Sequence, residues 1–339
     1  MTPGPGAGPR SARTGAWHRT GADWRRRSRP PRYSAGAWAA MHVLDLLPWP
    51  WGEDVMACGF IVKGIVRSSR LRAALKWASA QPGSRGPGRW RLAMALCAHH
   101  GLAVARSAAV GLRDPESLRS SVAVRGAEHL GARSGGAILL GFHLGMPNGD
   151  VMLRLMGHRA RWLGGGREAG GWARAVWQPF LDTSGELVLD EPGARGGVLR
   201  RACRALLDGE IVCMTADGGA GREAFRLPLP GGPLIVRSGW LSLREHGRAA
   251  VLPVLTHREG RTEVVTIHPP LPADVGACWA VLLRLLQDYV RRFPAQCYRL
   301  AFGPTVEARV VSGDKPEPDR PTEAASSQGR TAGECRPRS

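Results

Sequence analysis

The sharpest chemical feature of this sequence is an imidazole at the end of an apolar run. Residues 137–142 read Ala-Ile-Leu-Leu-Gly-Phe, and His143 follows directly, ahead of Leu144, Gly145, Met146, Pro147, Asn148, Gly149 and Asp150. Pro147 suits the first turn of a helix, so His143 is expected in a strand-to-helix turn with Asn148 and Asp150 just inside the helix. A histidine with a carboxylate in reach is the minimum equipment of a general base. The carboxylate fixes the tautomer and stabilises the imidazolium formed when the ring takes a proton. A strand-end histidine also serves as a packing residue. Gly145, Pro147 and Asp150 beside it are what argue for chemistry.

Two further turns carry polar groups at strand ends. Residues 211–222 read Ile-Val-Cys-Met-Thr-Ala-Asp-Gly-Gly-Ala-Gly-Arg, a strand opening into a glycine-rich loop that starts with Asp217 and Gly218 and ends with Arg222. Glycines let backbone N–H groups approach a phosphate, and arginine supplies a planar bidentate donor. Residues 163–167, Leu-Gly-Gly-Gly-Arg, place Arg167 after another strand in the same way. One such turn is an ordinary tight turn; three together, carrying His, Arg and Asp-Gly…Arg, point to a site. Nucleotide P-loop, nucleophile-elbow and H-E-x-x-H patterns are absent, and residues 218–221 lack the dinucleotide-binding spacing. The seven cysteines are scattered without a C-x-x-C pair. They read as buried thiols of a reducing compartment, with no metal site expected. The His99–His100 pair falls on an amphipathic helix and reads as surface or packing rather than catalytic.

The elements that must hold these turns alternate. Strands are predicted at Ala137–Phe142, Ala160–Leu163, Leu187–Leu189, Ile211–Thr215, Val251–Leu255 and Val264–Ile267. Helices are predicted at Pro147–Met156, Gly171–Leu181, Arg195–Leu207, Leu234–Glu245 and Val275–Arg292. That alternation predicts an α/β fold with a mainly parallel sheet flanked by helices, whose reactive residues gather at the carboxyl ends of the strands. The α/β domain is expected over 122–312 and is preceded by a helical segment over 41–121. Residues 42–77 combine Leu44, Leu46, Leu47, Trp49 and Trp51 with Lys63, Arg67, Arg70 and Arg72. This is the chemistry of a helix lying in a membrane interface, and equally of a helical hairpin packed on the core. No run of 18 apolar residues occurs, so a spanning helix is not expected. Residues 1–40 and 313–339 lack apolar periodicity and are expected to be a disordered extension and tail, with Met41 a candidate start.

The formal net charge is +19, and residues 1–40 hold eight Arg against one Asp. Taking that +7 from +19 leaves +12 on the remainder. Such an excess favours acidic partners, such as anionic headgroups or an acidic carrier. The basic residues are dispersed and no recognition helix or aromatic RNA-binding motif is present, so nucleic acid is not expected as a partner.

The order of these pieces resembles the lysophospholipid acyltransferase superfamily, and is most similar to its bacterial lipid A lauroyltransferase-like branch. The pieces are the His143 turn, the Arg167 turn, the Asp217-Gly218…Arg222 loop and then Leu252-Pro253-Val254. The likeness covers about 122–302 and includes Val124–Leu130, Pro228–Pro233, Val264–Leu271 and Tyr289–Gln296. It implies O-acyl transfer from a thioester donor, an acyl carrier protein or acyl-coenzyme A, to a hydroxyl of a glycolipid or phospholipid. His143 would be the base, and no cofactor beyond the acyl thioester co-substrate is implied. It implies an acidic partner at the position of Asn148; Asp150 supplies the charge if the turn is not helical from His143 onward. Arg222 and Arg167 would hold phosphate, and Asp217 would shape its loop. The expected location is peripheral, on the cytoplasmic face of the bacterial inner membrane, against anionic lipids. A non-catalytic lipid-binding protein and an acyl hydrolase on the same fold are the alternatives.

Overall fold

Four consecutive residues of the strand before His143, Ala137–Leu140, are buried, which requires cover on both faces of the sheet. The computed structural model describes residues 44, 46–112, 115–131, 135–145, 160–164, 187–188, 195–218 and 224–303. In chain order these form α1 (Trp49–Val66), α2 (Ser68–Ser79), α3 (Pro87–Leu112), α4 (Pro115–Ser120), β1 (Val122–Arg125), α5 (Glu128–Gly131), β2 (Ala137–Gly141) and β3 (Ala160–Gly164). There follow β4 (Leu187–Val188), α6 (Arg195–Leu207), β5 (Ile211–Thr215), β6 (Ala224–Leu227), β7 (Leu234–Arg237) and α7 (Gly239–Gly247). The described chain ends with β8 (Ala250–Glu259), β9 (Thr262–Ile267), α8 (Val275–Arg292) and α9 (Tyr298–Phe302).

The main sheet has the order β1-β9-β8-β2-β5-β3-β4, and only the β8–β9 pairing within it is antiparallel. It is thus an α/β fold with a mostly parallel sheet. Its alternation is legible in β2: Ile138 and Leu140 join one core layer, Ala137 and Leu139 the other. Helix α8 covers the first layer with Cys278, Leu282, Leu286 and Tyr289, spaced for one helical face. It starts where the Asp274 carboxylate accepts the Ala277 N–H at 2.7 Å, satisfying one of the free donors of the first turn.

The structure departs from the sequence reading at residues 234–245. The expected single helix is instead strand β7, a four-residue arm of a β6–β7 hairpin, followed by the shorter helix α7. The run Leu-Ile-Val carries strand-favouring branched side chains, and Pro228–Pro233 supplies the turn. The expected helices 147–156 and 171–181, and the two terminal segments, lie outside the described residues.

Helices α1–α3 pack as the helical hairpin reading of the N-terminal segment expects. One face of α1 packs on α3, closely enough that a Cβ on Gly101 would stand 2.3 Å from the Met56 carbonyl oxygen. At that contact Glu53, 1% exposed, receives Arg106 Nε at 2.6 Å and Arg258 Nη2 at 2.5 Å. Arg106 also donates to Ser121 Oγ and the Arg261 carbonyl. The N-terminal helices are thereby fastened to the β8–β9 hairpin by buried, mutually compensating charges, an arrangement that loses roughly 3–5 kcal/mol when one partner is removed. The opposite face of α1 exposes Trp51 (64%), Val55, Val62, Ile65 and Val66 (77%).

Candidate active site

The register of the parallel pair β2–β5 sets Gly141 level with Thr215. Two residues further on, both chains have left the sheet at its carboxyl edge, and there His143 meets Asp217. The His143 Nδ1 lies 2.9 Å from Asp217 Oδ1, and the His143 backbone N–H donates to both carboxylate oxygens at 3.0 and 2.9 Å. Ala216 N donates to the Gly141 carbonyl at 2.9 Å, which continues the strand contact into the turn. Sequence reading gave Asp217 the shaping of its own loop; the structure puts its carboxylate on the imidazole.

A carboxylate only accepts, so the ring proton sits on Nδ1 and the lone pair on Nε2. Asp217 is deeply buried, 2% exposed on its side chain, whereas the His143 side chain is 27% exposed. Burial alone would raise the Asp217 carboxyl; the charge and the ring and backbone hydrogen bonds of His143 outweigh it and hold it below the usual carboxylate range, helped by Arg299. The arrangement is a fixed anion holding an accessible imidazole in the tautomer a base requires.

The turn after His143 is held as firmly. Gly145 adopts φ +72°. Its N–H donates to the Gln296 carbonyl at 3.1 Å. The Gln296 side chain clamps Arg258, receiving its N–H at 2.8 Å and donating to its carbonyl at 3.0 Å. Two cations that sequence reasoning missed stand nearby. Arg237 is buried at the end of β7 and donates through Nε to the Gly218 carbonyl at 3.3 Å, bracing the loop that carries Asp217. Arg299, on α9, acts on Asp217 through its charge. Burial pushes its neighbour, the Tyr298 phenol, up to about 12, Arg299 opposing the shift and Asp217 adding to it. Arg237 was hidden inside the expected helix, and Arg299 lies beyond every strand-end turn.

Of the residues named from sequence, the structure therefore unites His143, Asp217 and Gly218. Asn148, Asp150, Arg167 and Arg222 lie outside the described residues. Among the described residues no group of three or more His, Cys, Asp or Glu could hold a metal ion. A pocket lined by His129, Leu206, Gly247 and Pro270 opens at the amino ends of β2 and β8, the opposite edge of the sheet from His143.

With this geometry in view, the comparisons with known proteins are informative. A family model described as bacterial lipid A biosynthesis acyltransferase matches residues 26–300, reaching much further toward the N-terminus than the likeness read from the motifs. Among solved structures, the chain is similar to the crystal structure of the 1-acyl-sn-glycerophosphate (LPA) acyltransferase PlsC from Thermotoga maritima, at 14% identity and a TM-score of 0.37, over 58% of this chain and 82% of that one. That partial overlap bears on neither substrate nor mechanism. The search of curated proteins found no match.

Proposed function

The chain belongs to the bacterial lipid A biosynthesis acyltransferase family and acylates a lipid, and from that premise we propose direct O-acylation with His143 as general base and Asp217 as its fixed partner. The His143–Asp217 pair is the observation that carries this reading. His143 Nε2 takes the proton of an acceptor hydroxyl as that oxygen attacks the carbonyl carbon of an acyl thioester. Asp217 stabilises the imidazolium without itself becoming protonated. The tetrahedral intermediate collapses, the C–S bond breaks, and the leaving thiolate takes the proton back from Nε2. The N–H groups of His143 and Gly145 are already committed to Asp217 and Gln296. The oxyanion therefore draws on other donors of the site.

An acyl carrier protein or acyl-coenzyme A is the donor in this reading, and the acceptor is a glycolipid or phospholipid hydroxyl. The exposed apolar stripe of α1, followed by Arg67, Arg70 and Arg72, is suited to lie in an interface rich in anionic lipid, at the cytoplasmic face. Among the described residues no helix is long and apolar enough to cross a membrane.

The test is a turnover assay with purified protein, an acyl thioester and lipid acceptor. Thiol release that depends on the acceptor, with an ester product by mass spectrometry, is expected. Equal thiol release without acceptor would make the protein a hydrolase, and no release would leave the lipid-binding alternative.

A further inference from the structure

Two basic side chains, Lys63 of α1 and Arg70 of α2, converge on one set of rings beside α9, the helix that carries Arg299. His100 stacks on Tyr298, with centroids 4.7 Å apart and planes 14° apart, and on Phe302 at 5.6 Å; Phe60 lies tilted against it at 4.9 Å. The Lys63 ammonium stands 4.8 Å from the Phe60 centroid, and the Arg70 guanidinium 5.7 Å from that same ring and 5.0 Å from Phe302. Arg299 lies one turn before Phe302 on α9. Its charge acts on both His100 and Asp217.

This grouping is unfavourable as it stands. Among the described residues, neither Lys63, Arg70 nor Arg299 has an ion-pair partner. Burial and the charges of Arg70 and Arg67 lower the Lys63 pKa, and His100 is kept neutral by burial and by the same cations. Like charges gathered about an aromatic platform, with only the Asp217 carboxylate acting on Arg299, call for an external anion. Lys63 and Arg70 share the Phe60 ring, which gathers their charges about one side chain. A guanidinium fork with an ammonium beside it suits phosphate oxygens.

We infer that Lys63, Arg70 and Arg299, over Phe60, His100 and Phe302, form a phosphate-binding site next to the His143–Asp217 pair. Building on the acyl-transfer reading, the site takes a phosphate carried by one of the two co-substrates. That phosphate belongs either to the pantetheine arm of the donor or to the headgroup of the acceptor.

Calorimetric titration at low salt with two soluble probes, coenzyme A and a short-chain phosphatidic acid below its micelle concentration, tests this. At least one probe should bind the full-length protein, and Arg70→Gln should weaken it roughly tenfold to hundredfold. Arg70→Lys should be intermediate. Loss for coenzyme A alone assigns the site to the donor, and loss for phosphatidic acid alone to the acceptor. Lys63→Gln and Arg299→Gln repeat the test should Arg70→Gln not fold. His143→Ala should bind as wild type, so a failed acyl-transfer reading would leave this result standing. Binding of neither probe by the wild-type protein, or unchanged affinity in all the folded Gln variants, would overturn the inference.

Discussion

Gly145 and Tyr289 occupy each other's limits: a Cβ on Gly145 would stand 2.2 Å from the Tyr289 hydroxyl and 1.8 Å from the Thr256 carbonyl oxygen. Tyr289 donates its hydroxyl to that same carbonyl at 2.5 Å. The turn carrying His143 is therefore pressed against β8 and α8 with no space for a side chain, at a positive φ that L-residues avoid. Gly145→Ala should lose on the order of 2–5 kcal/mol of stability, combining left-handed strain with overpacking, and activity with it. Urea unfolding measures this. An unchanged midpoint would show that the turn is free to move.

Two half-buried imidazoles make the protein sensitive to acid. Burial pushes His99 down to about 4, with Arg258 adding to the shift; burial, Arg70, Lys63 and Arg299 push His100 down to about 3. Unfolded, both take a proton near about 6.5. Between these values the unfolded chain binds more protons than the folded one, so stability is full above about 6.5 and is lost as pH falls toward about 4. Each ring contributes a slope of up to about 1.4 kcal/mol per pH unit. The depressed Asp217 carboxyl acts in the same direction, but only below the usual carboxylate range. Thermal midpoints from pH 6.5 to 4.5 should fall, and His100→Phe, which keeps the stacking, should flatten the fall. Identical profiles would mean that His100 is protonated in the fold.

Membrane attachment should depend on the outer face of α1. Trp51 and Ile65 are exposed there and make no part of the core. Removing a large apolar side chain from an interface costs roughly 1.5–3 kcal/mol, so Trp51→Ser and Ile65→Ser should each weaken binding to anionic vesicles about tenfold or more. Flotation with vesicles, alongside unchanged thermal midpoints, is the measurement. Wild-type flotation in the double variant would place the membrane contact elsewhere.

Sequence reading recovers the elements whose pattern is local. The strand at Ile211–Thr215 and the helices Arg195–Leu207 and Val275–Arg292 have the same bounds in the structure, because apolar period and end residues mark them. Strand β7 was not legible: four residues are too few to show a period, and the helix that follows lent them its own. His143 could be read from the strand that ends before it. Its observed partner could not, because Asp217 is 74 residues away and only the β2–β5 register brings the two level. Counting along the chain from His143 reaches Asn148 and Asp150 instead. Gln296 was inside a stretch that fitted the family, yet its grip on Gly145 and Arg258 exists only in three dimensions.

The pairing of Asp217 with His143 is tested most directly by steady-state kinetics of Asp217→Asn, with His143→Ala and Asp150→Asn beside it. An asparagine keeps an acceptor for the His143 N–H but removes the charge that stabilises the imidazolium as the proton moves. The account predicts a loss of kcat on the order of 10²–10⁴ in Asp217→Asn, with KM within about twofold and the fold intact by circular dichroism. His143→Ala should lose at least as much, and Asp150→Asn much less. Wild-type kcat in Asp217→Asn, with Asp150→Asn crippled, would contradict the account and return the partner's role to the helix after His143.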